Sequence, residues 1–171
     1  MLLDNVIAAV RHRFAHAPSD AVPIIERQSG VIPYSIVGST PVFLLVTSRR
    51  TGRWIFPKGR LSEGMEPWQS AEREAYQEAG VEGVVDPVPA GSFRTWKTRG
   101  VRRFAIEVDM YPFRVEHQLD KWRETGERHR HWVIRSEVAR LILEKRLVEL
   151  VETVAVRVGG AQVPAADEIN A

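Results

Sequence analysis

The sequence predicts an α/β domain of the α/β/α sandwich type, in which helices cover both faces of a mixed β-sheet. Three observations support this fold class. Strand-like segments lie on both sides of an early helix, further strand-like segments follow, and helical segments come last. Because a sheet and an amphipathic helix each have to bury an apolar face, this order favours helices on both sides of one sheet.

The composition is that of an ordinary globular domain. The chain has 171 residues, 44% of them hydrophobic and 27% charged, which is enough for one sizeable core. The absence of cysteine excludes disulfides, thiolate catalysis and Cys-based zinc sites. The net charge of +2 provides no overall polycation, so we expect no stable nucleic-acid partner. No apolar run could span a bilayer and no secretory signal is recognisable, so we expect no membrane association and a cytoplasmic location.

The chain divides into an extension, a domain and a tail. Residues 1–20 form the N-terminal helical extension, with Leu2, Val6 and Val10 at helical spacing. This helix packs on the domain or on a partner subunit, which leaves a homodimer as an open alternative. Residues 21–157 form the folded domain, and residues 158–171 form a flexible C-terminal tail.

Three strand-like segments precede the early helix. Residues 28–36 lead to a turn rich in Gly and Pro at 38–41. Residues 42–47 form a continuous apolar run, which predicts a strand buried on both faces. Residues 54–56 form a third, short strand.

The early helix is delimited by its own residues. Pro67 suits the first helical turn, where its missing N–H is no loss. Residues 68–79 are rich in helix formers, and Gly80 can end the helix in a left-handed conformation. An apolar stripe at spacings of three and four consists of Trp68, Ala71, Ala75 and Ala79.

The segments after the helix are again strand-like. Residues 81–88 have strand character that Gly83 interrupts, and residues 91–98 and 101–115 predict a hairpin. One face of the second arm is the more apolar, because apolar residues recur at every second position, at Phe104, Ile106, Val108 and Met110.

The last third of the chain is predicted to hold a loop, a strand and two helices. Residues 116–130 are polar and long enough to be a functional loop. Residues 131–134 form the last strand. Ser136 is predicted to cap a helix that ends near residue 145, and a further helix begins near Leu147.

Two carboxylates on the early helix form the candidate site. Glu74 and Glu78 are four residues apart, so they share a face. The glycine-containing loop before the helix can add backbone carbonyls. Such an oxygen environment suits a hard divalent cation such as Mg²⁺. Taken alone, such a pair more often consists of solvated carboxylates.

The residues around this pair resemble the Nudix box, the signature of hydrolases that act on a nucleoside diphosphate linked to another moiety. The matching residues are Gly59, Arg73, Glu74, Ala75, Glu78, Gly80 and Val81. Met65 and Gln77 stand where the family pattern has glutamate. The resemblance implies the Nudix fold and a metal-dependent diphosphate hydrolase. The two departures favour the alternative, a catalytically weak nucleotide-binding sensor.

The resemblance also implies roles for individual residues. Glu74, Glu78 and the Lys58 backbone carbonyl would bind Mg²⁺, with Mn²⁺ as the alternative ion. Arg73 would orient the glutamates through a salt bridge. The general base varies within the family, and the candidates here are Glu66, Glu107, Glu124 and Glu127. Of these, Glu127 completes the predicted catalytic set of Arg73, Glu74 and Glu78.

Basic residues indicate a highly phosphorylated small-molecule substrate. They cluster within residues 49–60, 94–103 and 121–130, and around the carboxylates they would form a phosphate-binding rim. Segments 45–49, 54–59 and 126–133 are also similar to the diphosphoinositol polyphosphate phosphohydrolase branch of the family. The predicted substrate-binding residues are Ser48, Arg49, Arg53, Lys58, Arg60, Arg128 and Arg130. This similarity implies a dinucleoside polyphosphate or a diphosphoinositol polyphosphate as substrate, and cleavage of the RNA 5′ diphosphate linkage is a further alternative.

Overall fold

The structure is a computed structural model that describes residues 25–159. The predicted N-terminal helix and most of the predicted tail lie outside these residues. Eight strands are described: β1 (Ile25–Val37), β2 (Thr40–Thr47), β3 (Trp54–Ile55), β4 (Lys58–Arg60), β5 (Val81–Val85), β6 (Gly91–Arg99), β7 (Arg102–Gln118) and β8 (Arg130–Ile134). The helices are α1 (Pro67–Glu74), which continues as a π-helical segment (Ala75–Ala79), α2 (Arg135–Leu141) and α3 (Lys145–Gly159).

All eight strands belong to one mixed sheet. Its main path runs β3-β2-β1-β7-β5, with β4 paired to β1, β6 to β7 and β8 to β2. The central pair, β1 and β7, is parallel, from Ile25 opposite Ala105 to Tyr34 opposite Arg114. The other pairs are antiparallel. The short strand β4 lies opposite Gln28, Ser29 and Gly30 of β1, so the loop before α1 is anchored to the middle of the sheet.

Helices cover both faces of this sheet, as the sequence predicts for the fold class. Neighbouring strand residues such as Leu44 and Leu45 belong to different apolar clusters, because side chains alternate across a strand. The first cluster packs under α2 and α3, and the second packs under α1. The strand predicted to be buried on both faces is confirmed, since Phe43, Leu44, Leu45 and Val46 have no exposed surface.

Three details differ from the sequence-based expectations. Ser136 is not the cap of α2, because the helix begins at Arg135 and the Ile134 N–H is bonded at 3.2 Å to the Glu137 side chain. This helix also ends at Leu141, four residues before the predicted end. Strand β7 is apolar on both faces in its second half, where Tyr111 and Phe113 pack against the α1 side.

Gly83 does not break β5. The strand continues through it with a register shift relative to β7 between Glu82 and Gly83. A Cβ at this position would overlap the backbone carbonyl of Arg114, so glycine permits the close approach of the two strands.

None of the helices described within residues 25–159 is long and apolar enough to cross a lipid bilayer.

Candidate active site

The candidate site is built on the loop and helix that follow β4. The Glu66 N–H donates to the Gln69 side chain at 2.9 Å, and the Ser62 N–H donates to the Ser70 hydroxyl at 3.0 Å. These bonds hold the loop against the first turn of α1. Ala71, Ala75 and Ala79 are buried in the second cluster, and partly buried Trp68 packs against it. The predicted apolar stripe therefore faces the sheet, and it fixes the orientation of the other helix residues.

The helix widens before it ends. The segment Ala75–Ala79 is π-helical, a feature that sequence propensity does not reveal. Gly80 ends it with φ 60°, and its N–H donates to the Tyr76 carbonyl at 3.1 Å. The predicted left-handed glycine stop is confirmed.

Glu74 lies against Gly59 of β4. A Cβ at Gly59 would come within 2.6 Å of Glu74 Oε1, so only glycine leaves room for the carboxylate. Arg73 Nη2 lies 3.4 Å from the same oxygen. The Glu74 side chain is 14% exposed, and it is thereby held in one place by the loop and by a neighbouring cation.

Glu78 lies one turn further along and is nearly buried. Its Oε2 accepts from the Lys58 N–H at 3.2 Å, and its Oε1 accepts from the Arg128 guanidinium. Burial raises the pKa of Glu78 to about 7, although Arg128 and the Lys58 amide act in the opposite direction. Desolvation of the charge therefore outweighs the two stabilising contacts.

Arg128 joins the helix to the loop between β7 and β8. Its side chain is only 5% exposed. It bonds the carboxylates of Glu78 and Glu124 and donates from Nη1 to the Thr47 carbonyl at 2.8 Å. Arg49 also lies 3.5 Å from Glu124, so two guanidinium groups meet the two carboxylates, although only Arg128 is buried.

A second arginine of this loop has a different position. Arg130 Nη1 donates to the carbonyls of Ala79 and Leu119, at 3.1 and 2.9 Å, and the guanidinium lies 4.0 Å from the Trp122 ring. Trp122 in turn donates from Nε1 to the Glu78 carbonyl at 3.2 Å. Arg130 is therefore engaged with the back of the helix end and does not line the cleft.

Most of the predicted phosphate-binding residues meet in one cleft of about 300 Å³. It is lined by Ser48, Arg49, Lys58, Arg60, Glu78 and Arg128, together with Arg50 and Lys97. Arg53 lines an adjoining cavity. Glu127 is 54% exposed and pairs with Arg49 at 3.0 Å, whereas Glu124 is buried and shares Arg128 with Glu78.

The oxygen donors of this site fit a divalent cation that a phosphorylated ligand helps to coordinate. Within residues 25–159, no group of three or more His, Cys, Asp or Glu side chains is arranged to hold a metal ion. Mg²⁺ is commonly held by only one or two carboxylates plus waters and phosphate oxygens. Glu74 and Glu78, beside the backbone of Lys58 and Gly59 in β4, provide that smaller set.

A comparison against protein families agrees with the fold. The model of the NUDIX domain matches residues 27–154 of the chain. The chain belongs to the NUDIX family. The Nudix box thus runs from Gly59 of β4 through the following loop, α1 and its π-helical end to Val81 at the start of β5. Nudix hydrolases as a family use divalent metal ions.

Curated Nudix relatives and solved structures resemble the chain to different degrees. Nudix hydrolase 13, mitochondrial, of Arabidopsis thaliana is 30% identical, with 61% of each chain covered. Human diphosphoinositol polyphosphate phosphohydrolase 3-beta is 33% identical, with 53% of each covered. The chain therefore spans about three fifths of the length of the Arabidopsis relative and about half of the length of the human one. The crystal structure of the C. elegans Ap4A hydrolase superposes with a TM-score of 0.57 at 14% identity, covering 79% of this chain and 99% of that one, and it supports the Nudix fold alone.

Several residues of this Nudix site were not found by sequence reasoning. Thr47, Trp122 and Gln28 hold or line the cleft, but no sequence motif indicates them. Thr47 acts through its backbone carbonyl, Trp122 through its indole N–H and Gln28 as a buried side-chain amide. None of these groups belongs to a motif that can be recognised by its spacing in the sequence. Of the three, only Trp122 stands out in the sequence, as a tryptophan between Lys121 and Arg123 in a polar loop.

Proposed function

We propose that the chain is a hydrolase that uses Mg²⁺ to cleave a diphosphate linkage in a phosphorylated small molecule. The proposal depends on one observation. The nearly buried Glu78 carboxylate, beside Glu74 and the Lys58 amide, lies in a cleft whose other charged lining residues are all cationic. Such a cleft combines a position for a cation with a rim for phosphate oxygens.

Residues of the Nudix box would bind the metal ion, and a neighbouring arginine would keep one of its ligands in position. The ligands would be Glu74, Glu78 and the Lys58 carbonyl. When bound, Mg²⁺ supplies a Lewis acid and lowers the pKa of its water. Arg73 would keep the Glu74 carboxylate turned towards Gly59, as the 3.4 Å contact indicates. Mn²⁺ would serve with the same oxygen ligands.

The basic residues would reduce the repulsion that protects a diphosphate from a nucleophile. Lys58 and Arg50 line the cleft, and the Lys58 ammonium has no hydrogen-bond or ion-pair partner among the described residues. Burial lowers the pKa of Lys58, while the nearby Glu78 opposes this shift. A phosphate beside Lys58 would supply the ammonium group with the negatively charged hydrogen-bond partner that the described residues do not provide.

The two loop carboxylates are rival general bases. Glu127 is the residue expected from the sequence, and it is exposed and paired with Arg49. Glu124 lies closer to the centre of the site, because the same guanidinium binds it and Glu78. Comparison of Glu124→Gln with Glu127→Gln decides between them: the base is the residue whose replacement lowers kcat by about 100-fold or more.

A catalytically weak nucleotide-binding sensor is the second candidate. One observation favours it: both Glu78 oxygens are already bonded to groups of the protein. The sensor would bind one phosphorylated ligand tightly and release no phosphate from it.

The deciding experiment measures turnover of a substrate panel with and without Mg²⁺. The panel contains diadenosine polyphosphates, nucleoside diphosphate sugars and diphosphoinositol polyphosphates. Turnover that requires Mg²⁺ and is lost in Glu78→Gln supports the hydrolase. The matched control is Glu82→Gln, an exposed glutamate on β5. Full turnover in a folded Glu78→Gln variant would refute the assigned role of Glu78.

The remaining expectations about the whole protein stay predictions. These are a cytoplasmic location, the absence of a stable nucleic-acid partner and the alternative of a homodimer. The plant relatives carry mitochondrial and chloroplastic in their names, so family membership alone does not assign a compartment.

A further inference from the structure

The end of the sheet at which β1 begins lies outside the core that α1 covers. On the α1 side, the second cluster takes its first β1 residue at Val31 and its first β7 residue at Tyr111. The same face continues towards the start of β1 and across β7 to β6. None of the side chains in that continuation belongs to the second cluster.

An apolar row crosses this end of the sheet. Ile25 of β1 lies opposite Ala105 of β7, and Ala105 lies opposite Trp96 of β6, so the three side chains share one face. Ile25 is 40% exposed and Trp96 is 48% exposed, whereas Ala105 between them is buried. The Arg103 guanidinium lies 4.7 Å from the centre of the Trp96 ring. Two large apolar side chains are thus held on a surface that no described helix covers.

The charged residues of the next row are paired with one another. In this row Arg27 lies opposite Glu107, and Glu107 lies opposite Arg94. Arg27 binds the neighbouring Asp109 at 2.7 Å, and Arg94 lies 3.9 Å from Glu107. This surface therefore presents apolar side chains bordered by compensated charges, which suits an apolar partner better than a charged ligand.

The chain enters the sheet at the apolar row. Residues 1–24 directly precede Ile25 and lie outside the described part of the chain. The sequence predicts an amphipathic helix in their first half. Its apolar stripe consists of Leu2, Leu3, Val6, Ile7, Val10 and Phe14. Such a stripe has to be buried against another element.

The connection between this segment and β1 is long enough for the segment to fold back. A helix over residues 2–14 would be about 20 Å long. Pro18 and Pro23 oppose its continuation, and residues 15–24 reach up to about 33 Å when extended. The row from β1 to β6 spans two strand spacings, or about 10 Å. The helix can therefore lie over the whole row.

We infer that residues 2–14 form a helix that docks its apolar stripe on the row of Ile25, Ala105 and Trp96. This helix would lie beside α1 and complete the cover of that side of the sheet. The occupant is the segment of the same chain because a short connection gives it a much higher effective concentration than a second copy has.

Thiol labelling tests the docking in the full chain. The chain has no cysteine, so an introduced thiol reports on its own position. Arg94→Cys places it on the face of the row, and Lys97→Cys places it on the opposite face of β6. Both positions are exposed in the described structure. Val6→Asp should raise the rate of maleimide labelling of Arg94→Cys about tenfold, because a docked segment leaves its site open for about a tenth of the time or less. The rate for Lys97→Cys should not change.

The matched control for Val6→Asp is Ala8→Asp. It introduces the same charge on the side of the predicted helix opposite to the stripe. The rate for Arg94→Cys should then equal that with the unaltered segment.

A cross-link identifies the copy that supplies the segment. Val10→Cys keeps a small apolar side chain in the stripe. Combined with Arg94→Cys, it should be joined by a short bifunctional maleimide within one chain, and the product should keep the mass of a monomer. Val10→Cys combined with Lys97→Cys should give little of this product.

Three outcomes overturn the inference. The first is a folded Val6→Asp chain in which Arg94→Cys is labelled no faster. The second is an equal acceleration by Ala8→Asp. The third is a covalent dimer as the main cross-linked product, which would show that a second copy covers the row. Far-UV circular dichroism verifies that each variant is folded. None of these measurements requires turnover, so their failure leaves the proposed hydrolase unaffected.

Discussion

At Glu78, a carboxylate is held between the Lys58 amide and the Arg128 guanidinium, where water reaches little of it. The arrangement removes most of this carboxylate from water. Because the pKa of Glu78 is raised to about 7 by burial, the folded protein resists ionising this group in the absence of a metal. The same resistance makes the site receptive to a cation, which would offset the cost of desolvation.

The pH dependence of stability should reveal this residue. Between pH 4.5, the ordinary pKa of a glutamate, and about 7, the folded protein binds a proton that the unfolded chain has released. The free energy of unfolding should therefore fall as pH rises through this window, by at most about 3 kcal/mol from Glu78. Urea unfolding in EDTA from pH 4.5 to 8 measures this. Glu78→Gln should show a flatter profile, and an unchanged profile would contradict the assignment.

Arg128 should be a large contributor to the stability of the metal-free protein. Arg128→Gln leaves Glu78 and Glu124 without their buried cation, so we expect the free energy of unfolding to fall by about 3–5 kcal/mol. The comparison is Arg49→Gln, which removes an arginine that is 56% exposed and should cost less than about 1 kcal/mol. Urea unfolding in EDTA measures both, and similar losses would show that Arg128 is not the central cation of the cluster.

At the scale of elements, the end of the box helix is tied to the loop between β7 and β8. The Trp122 indole bonds the Glu78 carbonyl, and the Leu119 N–H donates to the Gly80 carbonyl at 2.8 Å. The Arg123 side chain reaches Gln77 at 2.8 Å. Gln77, one of the two departures from the box pattern, therefore contacts this loop. The loop positions Glu124 and Arg128 because it is fastened to the same helix that carries Glu78.

Two glycine variants should distinguish the cost of backbone strain from the cost of a steric clash with Trp122. Gly64 and Gly80 have φ of 74° and 60°, so alanine at either should cost about 1 kcal/mol. A Cβ at Gly64 has open space, whereas a Cβ at Gly80 would meet Trp122 at 2.6 Å. Gly80→Ala should therefore lose about 1–3 kcal/mol more than Gly64→Ala in chemical unfolding. Equal losses would mean that Trp122 moves aside freely.

At the scale of the whole molecule, one sheet supports two apolar clusters. Phe43 lies under α2 and α3, and Phe113 lies under α1. Both clusters take side chains from β1, β2 and β7. The loss of one cluster would free strands that the other cluster needs, so the two faces should unfold together.

The variants Phe43→Leu and Phe113→Leu test this coupling. Each should lower the free energy of unfolding by about 1–2 kcal/mol and shift the same single transition. Far-UV circular dichroism and tryptophan fluorescence should report coincident midpoints for both variants. Separate midpoints in either variant would show that the two faces unfold independently.

The sequence by itself determined the elements whose signals are local. The Pro67 start, the alanine stripe and the Gly80 stop of the box helix follow from backbone preferences and side-chain periodicity. The association of Glu74 and Glu78 with the segment before the helix follows from the resemblance of residues 59–81 to the Nudix box. Ser136 failed as a helix cap because a capping preference is weak beside the pairing of β8 with β2, which sets where the strand ends.

Only the tertiary structure decided which charges meet. Arg128 and Arg130 are two residues apart, yet one binds Glu78 in the cleft and the other is stacked on Trp122 behind it. Glu124 and Glu127 divide in the same way between the buried cluster and the surface. Which charged side chains meet depends on the order of the strands, and this order is set by the burial of apolar faces over the entire sheet.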